Sequence, residues 1–150
     1  MAQFRKLVIS NILFTDIKEH FPLLKKFNMI KADYFSEEAN KEVLCNMIVH
    51  SSDFAGSIKE FKICEEWSMR VNQEFTKQYK VETELNLPQT PFMKDLENRA
   101  IVAKNEAGFL KVIVYPLYEA LNSFYENAKI LKIFKDNIDT NIKRWEEIQK

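Results

Sequence analysis

His50 and Asp53 lie three residues apart at the end of an apolar run, within NMIVHSSDFAGSIKEF, residues 46–61. Residues at this spacing share one face of a helix. Carboxylate oxygens bind zinc, magnesium or manganese, and imidazole nitrogen suits zinc. The pair could therefore be half of a metal site. A helix end with a histidine near its negative pole and a capping acid has the same pattern, and the residues alone favour that simpler interpretation.

Further metal ligands are scarce in the sequence. A zinc site needs roughly three or four protein ligands, and the only other histidine is His20. The chain has no Cys-x-x-Cys, His-Glu-x-x-His, P-loop or Gly-x-Ser-x-Gly motif. Residue types and spacing therefore indicate a helical domain with one candidate metal-binding acid, Asp53, and leave both interpretations open.

Composition limits the class of protein. The chain has 150 residues, the length of one domain, and its 22 basic residues balance 22 acidic ones, which argues against a nucleic-acid partner. No apolar run approaches the length of a membrane span, and the first residues lack a signal-peptide pattern. Cys45 and Cys64 form no Cys-x-x-Cys pair. We expect them to be buried free thiols in the cytosol or a compartment continuous with it.

The elements that must position these residues are helices. Apolar residues recur at helical spacing, and the chain has only two glycines and four prolines, so we predict an all-α fold. Residues 80–96 contain two prolines and are predicted to be a loop. The predicted helices span residues 3–28 with a break near Pro22, Ser36 to Asp53, Ser57 to Phe75, residues 101–125 interrupted at Pro116, and residues 128–150.

Two sets of apolar residues are predicted to lie in the core. In the second helix the inward face is assigned to Val43, Leu44, Met47 and Ile48. Large aromatic residues at helical spacing are most often ordinary core residues. These aromatic residues are Phe61, Trp67, Phe134 and Trp145.

Four stretches in order resemble a known family. They are ILFTDIKEHF (12–21), MIVHSSDF (47–54), EEWSMRVNQEF (65–75) and NEAGFLKVIVYPLYEAL (105–121). Together they resemble the class I 3′,5′-cyclic nucleotide phosphodiesterases, over about residues 4–145. The resemblance implies that residues 1–150 are a single partial domain, a multi-helix bundle corresponding to the C-terminal half of that family's catalytic domain.

The resemblance also implies a metal site that this chain holds only in part. Members of the family bind two divalent metals, zinc and magnesium in most cases, whose bridging hydroxide attacks the cyclic phosphate. Asp53 matches one metal aspartate, vestigial or partial here, and His50 takes a supporting role. The other three ligands and the proton-donor histidine belong to motifs upstream of this portion. We therefore assign no catalytic residue and expect no cofactor in this chain alone, with zinc and magnesium bound if the site is completed.

The same resemblance assigns a nucleotide pocket. Phe109 matches the ring that stacks on the purine, Val71 the aliphatic residue opposite it, and Phe75 a further apolar wall. Glu106 stands where the family has a glutamine that orients the base, and Gly56 stands where several members have an asparagine.

The change to Glu106 alters the hydrogen-bonding capacity of the pocket. A glutamine amide both donates and accepts, whereas a carboxylate only accepts, so a working pocket would lean toward guanine. Burying that charge without a partner is also costly. The competing interpretation, which the sequence favours, is relaxed selection on a pocket that is no longer used.

These observations lead to hypotheses of different classes. The first is a non-catalytic, phosphodiesterase-like structural or regulatory subunit, with protein partners covering the apolar face left by the missing half. The second is part of an active cAMP or cGMP phosphodiesterase whose metal-binding histidines lie in missing sequence or in a partner chain. A weaker third is a sensor that binds cyclic nucleotide without hydrolysing it.

Overall fold

The computed structural model describes residues 2–30, 37–126 and 128–150. These residues form helices and no β-strand, which confirms the predicted all-α class. The seven α-helices of the described residues are α1 (Ala2–Leu13), α2 (His20–Asn28), α3 (Glu38–Ser52), α4 (Phe61–Glu84), α5 (Arg99–Phe109), α6 (Tyr115–Phe124) and α7 (Lys129–Gln149). None of them is long and apolar enough to cross a membrane.

The first break in the chain lies earlier than predicted. Helix α1 ends at Leu13, and Asp16 then accepts a hydrogen bond from the Lys18 amide at 2.9 Å, which starts a short 3₁₀ turn. Pro22, at which the break was predicted, lies in the first turn of α2. The prediction was wrong because a proline in the first helical turn lacks only an N–H that would have no helical partner there.

Helix α3 follows the prediction closely at its C-terminal end, because Asp53 is its C-cap residue. The predicted N-cap, Ser36, lies outside the described residues. Met47 is fully buried, as predicted, but Ile48 is 43% exposed, so its assignment to the inward face was wrong. Asn46 and His50 occupy buried positions instead, because α1 and α2 both pack against α3.

Helix α4 begins later and ends later than predicted. Its first residue is Phe61, so Ser57 does not cap it, and it continues through Glu84 into the predicted loop. Asn86 ends it in a left-handed conformation with φ of 52°. The Asn86 and Leu87 amides donate back to the carbonyls of Thr83 and Glu82, which is the Schellman pattern that stops a helix.

Pro116 does not interrupt the next helical segment. Helix α5 continues into α6 through a π-helical turn, Leu110–Val114, directly before that proline. A wider turn accommodates a residue that cannot donate to the preceding turn and whose ring crowds it. Helix α7 covers the predicted final helix.

The core lies where α5, the π-helical turn and α6 pack against α7. Trp145 is 2% exposed, and Phe61 and Phe134 are half-buried and pack against the core. Trp67 is 51% exposed, so its assignment to the core was wrong. Its ring lies along the loop between α3 and α4 and lines a cavity.

Candidate functional site

A cavity of about 1030 Å³ is bordered by the α3–α4 loop, α4 and α5. Its lining is mainly apolar, with a few polar side chains. Every residue that the sequence assigned to the nucleotide pocket or to the metal lies on it, and His50 does not. These residues are Asp53, Gly56, Val71, Phe75, Glu106 and Phe109.

The α3–α4 loop is fixed by hydrogen bonds from α6 and α7. In the last turn of α3, directly before the loop, the Ser51 carbonyl accepts a hydrogen bond from the buried Tyr118 hydroxyl at 2.8 Å, and burial raises the pKa of Tyr118 to about 12. Asn141 donates to the carbonyls of Ser57 and Lys59 at 3.0 and 2.8 Å, and Asn137 donates to the Ile58 carbonyl at 3.0 Å. The core therefore sets the position of the loop that carries Asp53 and Gly56.

Packing against Trp67 explains why residue 56 is a glycine. A Cβ built at this position would lie 2.8 Å from Cγ and 3.1 Å from Cβ of Trp67. These are the inner atoms of the tryptophan side chain, so they cannot move away without shifting α4. The glycine allows Trp67 to pack against the loop, which is a cause independent of whether a nucleotide binds.

Helix α4 presents two parallel stripes of opposite character. Trp67, Val71 and Phe75 follow one another at intervals of four residues and line the cavity, and the first two are 51% and 39% exposed. The stripe beside them, Cys64, Ser68 and Asn72, has the same spacing and is buried. Apolar residues thus face the cavity while small and polar residues face the protein, the reverse of an ordinary surface helix.

The buried stripe holds the one carboxylate on the α5 side of the cavity. Ser68 Oγ donates to Glu106 Oε1 at 2.7 Å, and Asn72 Nδ2 donates to the same oxygen at 3.1 Å. Burial raises the pKa of Glu106, and these two hydrogen bonds oppose that rise. Within the described residues no basic side chain forms an ion pair with Glu106.

Phe109 stands at the C-terminal end of α5, on the cavity lining with the apolar stripe of α4. Its ring makes an edge contact with Phe54, with the centroids 5.5 Å apart. Phe75 makes a similar contact with Phe92 at 5.6 Å. Neighbouring rings therefore support both aromatic side chains, and the cavity has apolar surfaces suited to a flat aromatic ligand.

His50 points into the protein, where it pairs with His20. Its Nε2 lies 2.9 Å from Nδ1 of His20, and both side chains are fully buried. Burial lowers the pKa of each ring. The charge of His50 lowers the pKa of His20 further, whereas Asp53 opposes the shift at His50. The pair joins α2 to α3 beneath the residue that carries the candidate metal carboxylate.

The described residues do not by themselves fit zinc or magnesium. Asp53 is exposed on the cavity lining. Nowhere in ranges 2–30, 37–126 and 128–150 do three or more histidine, cysteine, aspartate or glutamate side chains come together in a way that could hold a metal. Asp53 offers carboxylate oxygens as ligands, but the described residues bring no complete ligand set to it.

Sequence reasoning missed the residues that support the site. Ser68 and Asn72 were not singled out from the sequence, although residues at i and i+4 share one side of a helix and could be expected to act together. Asn137 and Asn141 on α7 have the same spacing and fix the loop.

Cys64 is a buried free thiol as predicted, with its pKa raised by burial to about 11, but Cys45 is only half-buried.

Comparison with known proteins agrees with this architecture. The sequence profile of the 3′,5′-cyclic nucleotide phosphodiesterase family matches residues 1–135. Two solved structures of the phosphodiesterase domain of a rhodopsin phosphodiesterase from Salpingoeca rosetta superpose with TM-scores of 0.88 and 0.86, each at 28% identity. The superpositions cover 97% of this chain in both cases and 46% and 44% of those chains.

Curated relatives are considerably longer than this chain. A probable 3′,5′-cyclic phosphodiesterase of Caenorhabditis elegans, pde-6, is 30% identical over 146 residues, which cover 95% of this chain and 19% of the relative. The cGMP-specific 3′,5′-cyclic phosphodiesterase alpha of Plasmodium falciparum is 32% identical over 146 residues, or 95% and 15% of the two chains. The chain thus spans less than a fifth of either protein.

Proposed function

The chain belongs to the 3′,5′-cyclic nucleotide phosphodiesterase family, and on that premise we propose that it supplies the nucleotide-recognition half of such a site without hydrolysing nucleotide on its own. In this role it is a structural or regulatory subunit of a larger assembly. Its cavity binds a cyclic purine nucleotide, with the base between Phe109 and Val71 and its polar edge toward Glu106.

The observation that carries this proposal is the composition of the cavity. Side chains from α4 and α5 supply apolar surfaces, and Glu106 is a polar group held among them by hydrogen bonds. A volume of about 1030 Å³ accommodates a nucleotide, since small-molecule sites are usually apolar clefts with a few placed polar groups. The hydrogen bonds that organise Glu106 also argue for a used pocket over a decayed one, in contrast to the interpretation that the sequence alone favoured.

A partner is expected at the amino-terminal surface. Phe4, Ile12 and Leu13 of α1 are 70%, 63% and 65% exposed. An exposed apolar surface of this kind marks a contact with other protein. We propose that a further segment of a longer polypeptide or a second chain covers it.

Free thiols at Cys45 and Cys64 fit a reducing compartment such as the cytosol.

The second candidate is an active phosphodiesterase of which this chain is one part. The observation that favours it is the Asp53 carboxylate, exposed on the lining of the same cavity as the nucleotide-pocket residues. Histidines from missing sequence or from a partner chain would complete the ligand set, and zinc and magnesium would then supply the attacking hydroxide. No step of that chemistry is assigned to residues of this chain.

Binding of cAMP and cGMP to the purified chain tests the first proposal. We expect at least one nucleotide to bind, and Phe109→Ala to weaken binding by about tenfold or more because the stacking surface is lost. Phe4→Ala is the matched control, because Phe4 does not line the cavity. Failure of both nucleotides to bind at millimolar concentration would refute the proposal.

Hydrolysis separates the two candidates. The isolated chain and its native assembly are each assayed with zinc and magnesium against both nucleotides. No turnover in either sample supports the non-catalytic subunit. Turnover by the assembly alone that Asp53→Ala abolishes establishes the second candidate, and turnover by the isolated chain contradicts the first.

A further inference from the structure

Thr90 is the only serine or threonine in the sequence that a proline follows, within QTPFMK, residues 89–94. It lies in the segment that joins α4 to α5, directly before a short 3₁₀ turn, Pro91–Met93. A proline at this place has no backbone N–H and a fixed φ, so it excludes enzymes that bind the following residue through its N–H. The pair Thr-Pro is the acceptor that proline-directed protein kinases recognise.

The backbone around Thr90 is open and extended. Thr90 has φ of −87° and ψ of 115° and is half-buried, while residues 83–89 before it and Pro91 and Phe92 after it are exposed. Among the described residues the amides of Gln89 and Thr90 donate to no backbone carbonyl. A kinase binds the residues around the acceptor in an extended conformation, so this segment can enter such a site with little local unfolding.

The Thr90 hydroxyl is not committed to the fold. It makes no capping contact with the 3₁₀ turn and forms no other hydrogen bond within the described part of the chain. By contrast, the hydroxyls of Thr76 and Thr83 each donate to a carbonyl four residues earlier in α4. Modification of either of those would break a hydrogen bond inside a helix, whereas Thr90 has no such bond to lose.

Thr90 also lies close to the cavity. Phe92, two residues later, is on the cavity lining, where its ring contacts Phe75 with the centroids 5.6 Å apart. Asn105 of α5 donates to the Phe92 carbonyl at 3.1 Å and holds the turn at this place. Two residues of chain span at most about 7 Å, which is within the Debye length of about 8 Å at physiological ionic strength. A charge added at Thr90 therefore acts on a ligand in the cavity.

We propose that Thr90 is a phosphorylation site for a proline-directed protein kinase, and that the phosphate lowers the affinity of the cavity for an anionic nucleotide. The γ-phosphoryl group of a nucleoside triphosphate moves to Thr90 Oγ1. The bond from its phosphorus to the bridging oxygen breaks, the new P–O bond forms, and the hydroxyl proton passes to the catalytic base of the kinase. The added group carries roughly −1.5 to −2 charges at neutral pH and repels the nucleotide phosphate. This second part rests on the proposed function.

Incubation of the full chain with a proline-directed kinase and magnesium ATP, followed by mass spectrometry, tests the modification. We expect one phosphoryl group, on Thr90, and none at this position in Thr90→Ala. Pro91→Ala keeps the hydroxyl and should be phosphorylated at least about tenfold more slowly, because the recognised proline is lost. Thr90→Ser should remain a substrate at position 90. Absence of phosphate on Thr90, or an equal rate in Pro91→Ala, overturns the proposal.

Titration of the phosphorylated and unmodified chains with 3′,5′-cGMP and 3′,5′-cAMP, followed by ¹H–¹⁵N NMR, tests the effect on the cavity. We expect the phosphorylated chain to bind about twofold to fivefold more weakly, and the difference to shrink in 1 M salt, where the Debye length is about 3 Å. Kinase-treated Thr90→Ala is the control and should bind as tightly as the untreated chain.

The outcomes separate this inference from the proposed function. Equal binding by the phosphorylated and unmodified chains overturns the effect on affinity and leaves both nucleotide binding and the phosphorylation site in place. Binding of neither nucleotide to either chain overturns the proposed function together with the effect on affinity, whereas phosphate found on Thr90 still supports the modification site. A fall in affinity that persists unchanged in 1 M salt overturns the electrostatic explanation.

Discussion

Trp145 of α7 is 2% exposed, whereas Phe4 of α1 is 70% exposed. The same contrast holds along both helices. Ile138 and Trp145 of α7 are buried against α5 and α6, while none of residues 3–13 of α1 is buried. Both regions carry large apolar side chains, but within the described residues only those of α7 are buried.

Polar side chains of α1 contact α3. Helix α1 packs against α3, where Ser10 donates to Glu42 at 2.7 Å and lies 3.3 Å from the Asn46 amide oxygen. Burial of apolar area is the main stabilising term in folding, so this contact contributes little beside the α5–α7 core. Within the described residues, the core on α5–α7 is therefore well buried, whereas the apolar face of α1 is left exposed.

Removal of a core side chain should have the largest effect on stability. Trp145→Ala loses the burial of the indole and its edge contact with Phe61, whose ring centroid lies 5.1 Å away. We expect the free energy of unfolding in urea to fall by about 3–5 kcal/mol. A loss below about 1 kcal/mol would show that this region contributes less to the core than its burial indicates.

Gly56→Ala should have the next largest effect, because the new methyl group collides with Trp67. Overpacking of this kind costs about 1–3 kcal/mol, measurable by the same urea titration. Gly108→Ala is the matched control. Nothing lies within 4 Å of a Cβ at that position, and alanine in a helix should raise stability by about 0.5–1 kcal/mol. Equal effects of the two substitutions would contradict the packing explanation for Gly56.

The buried histidine pair at the junction of the two regions predicts a pH dependence. Burial lowers the pKa of His20 and His50 from the ordinary value of 6.5 in the folded state. As the pH falls below about 6.5 the unfolded chain therefore binds protons before the folded chain does, and stability falls. The slope is at most about 1.4 kcal/mol per pH unit for each histidine.

Thermal unfolding between pH 5 and pH 8 measures this slope. The double substitution His20→Leu with His50→Leu removes both titrating groups and leaves no unpaired partner, so its stability should vary less over the same range. An equal slope in the double variant would assign the pH dependence to other groups.

Substitutions on the exposed face of α1 should have the smallest effect on stability. Ile12→Ser with Leu13→Ser should change the free energy of unfolding by less than about 0.5 kcal/mol for each residue, because both side chains are more than half exposed. The substitutions should instead reduce binding of the hydrophobic dye ANS and capture of any natural partner. A loss comparable to that of Trp145→Ala would mean that this face is already buried in the isolated chain.

Periodicity predicted the helical class and most of the helices, but failed where two structures satisfy the same pattern. Pro22 could break a helix or occupy its first turn, and the contacts of the preceding residues decided for the first turn. The end of α4 carried a readable signal, since Asn86 followed by Pro88 is typical of a helix stop, yet the prolines were taken to mark a longer loop. Trp67 was assigned to the core on its residue type, although its helical stripe lines the cavity.

By itself the sequence determined the helical class, through the spacing of its apolar residues, whereas the family and the residues now found around the cavity came from the resemblance of four stretches to a known family. Only the tertiary structure decided which of them meet. Ser68 and Asn72 converge on Glu106 across 38 and 34 positions, and His50 pairs with His20 across 30. Helical periodicity fixes which residues share a side of a helix, but the neighbouring helix that covers that side is set by the packing of the whole core. His50 thus lies in a buried pair, while Asp53, one helical turn later, is exposed on the cavity lining.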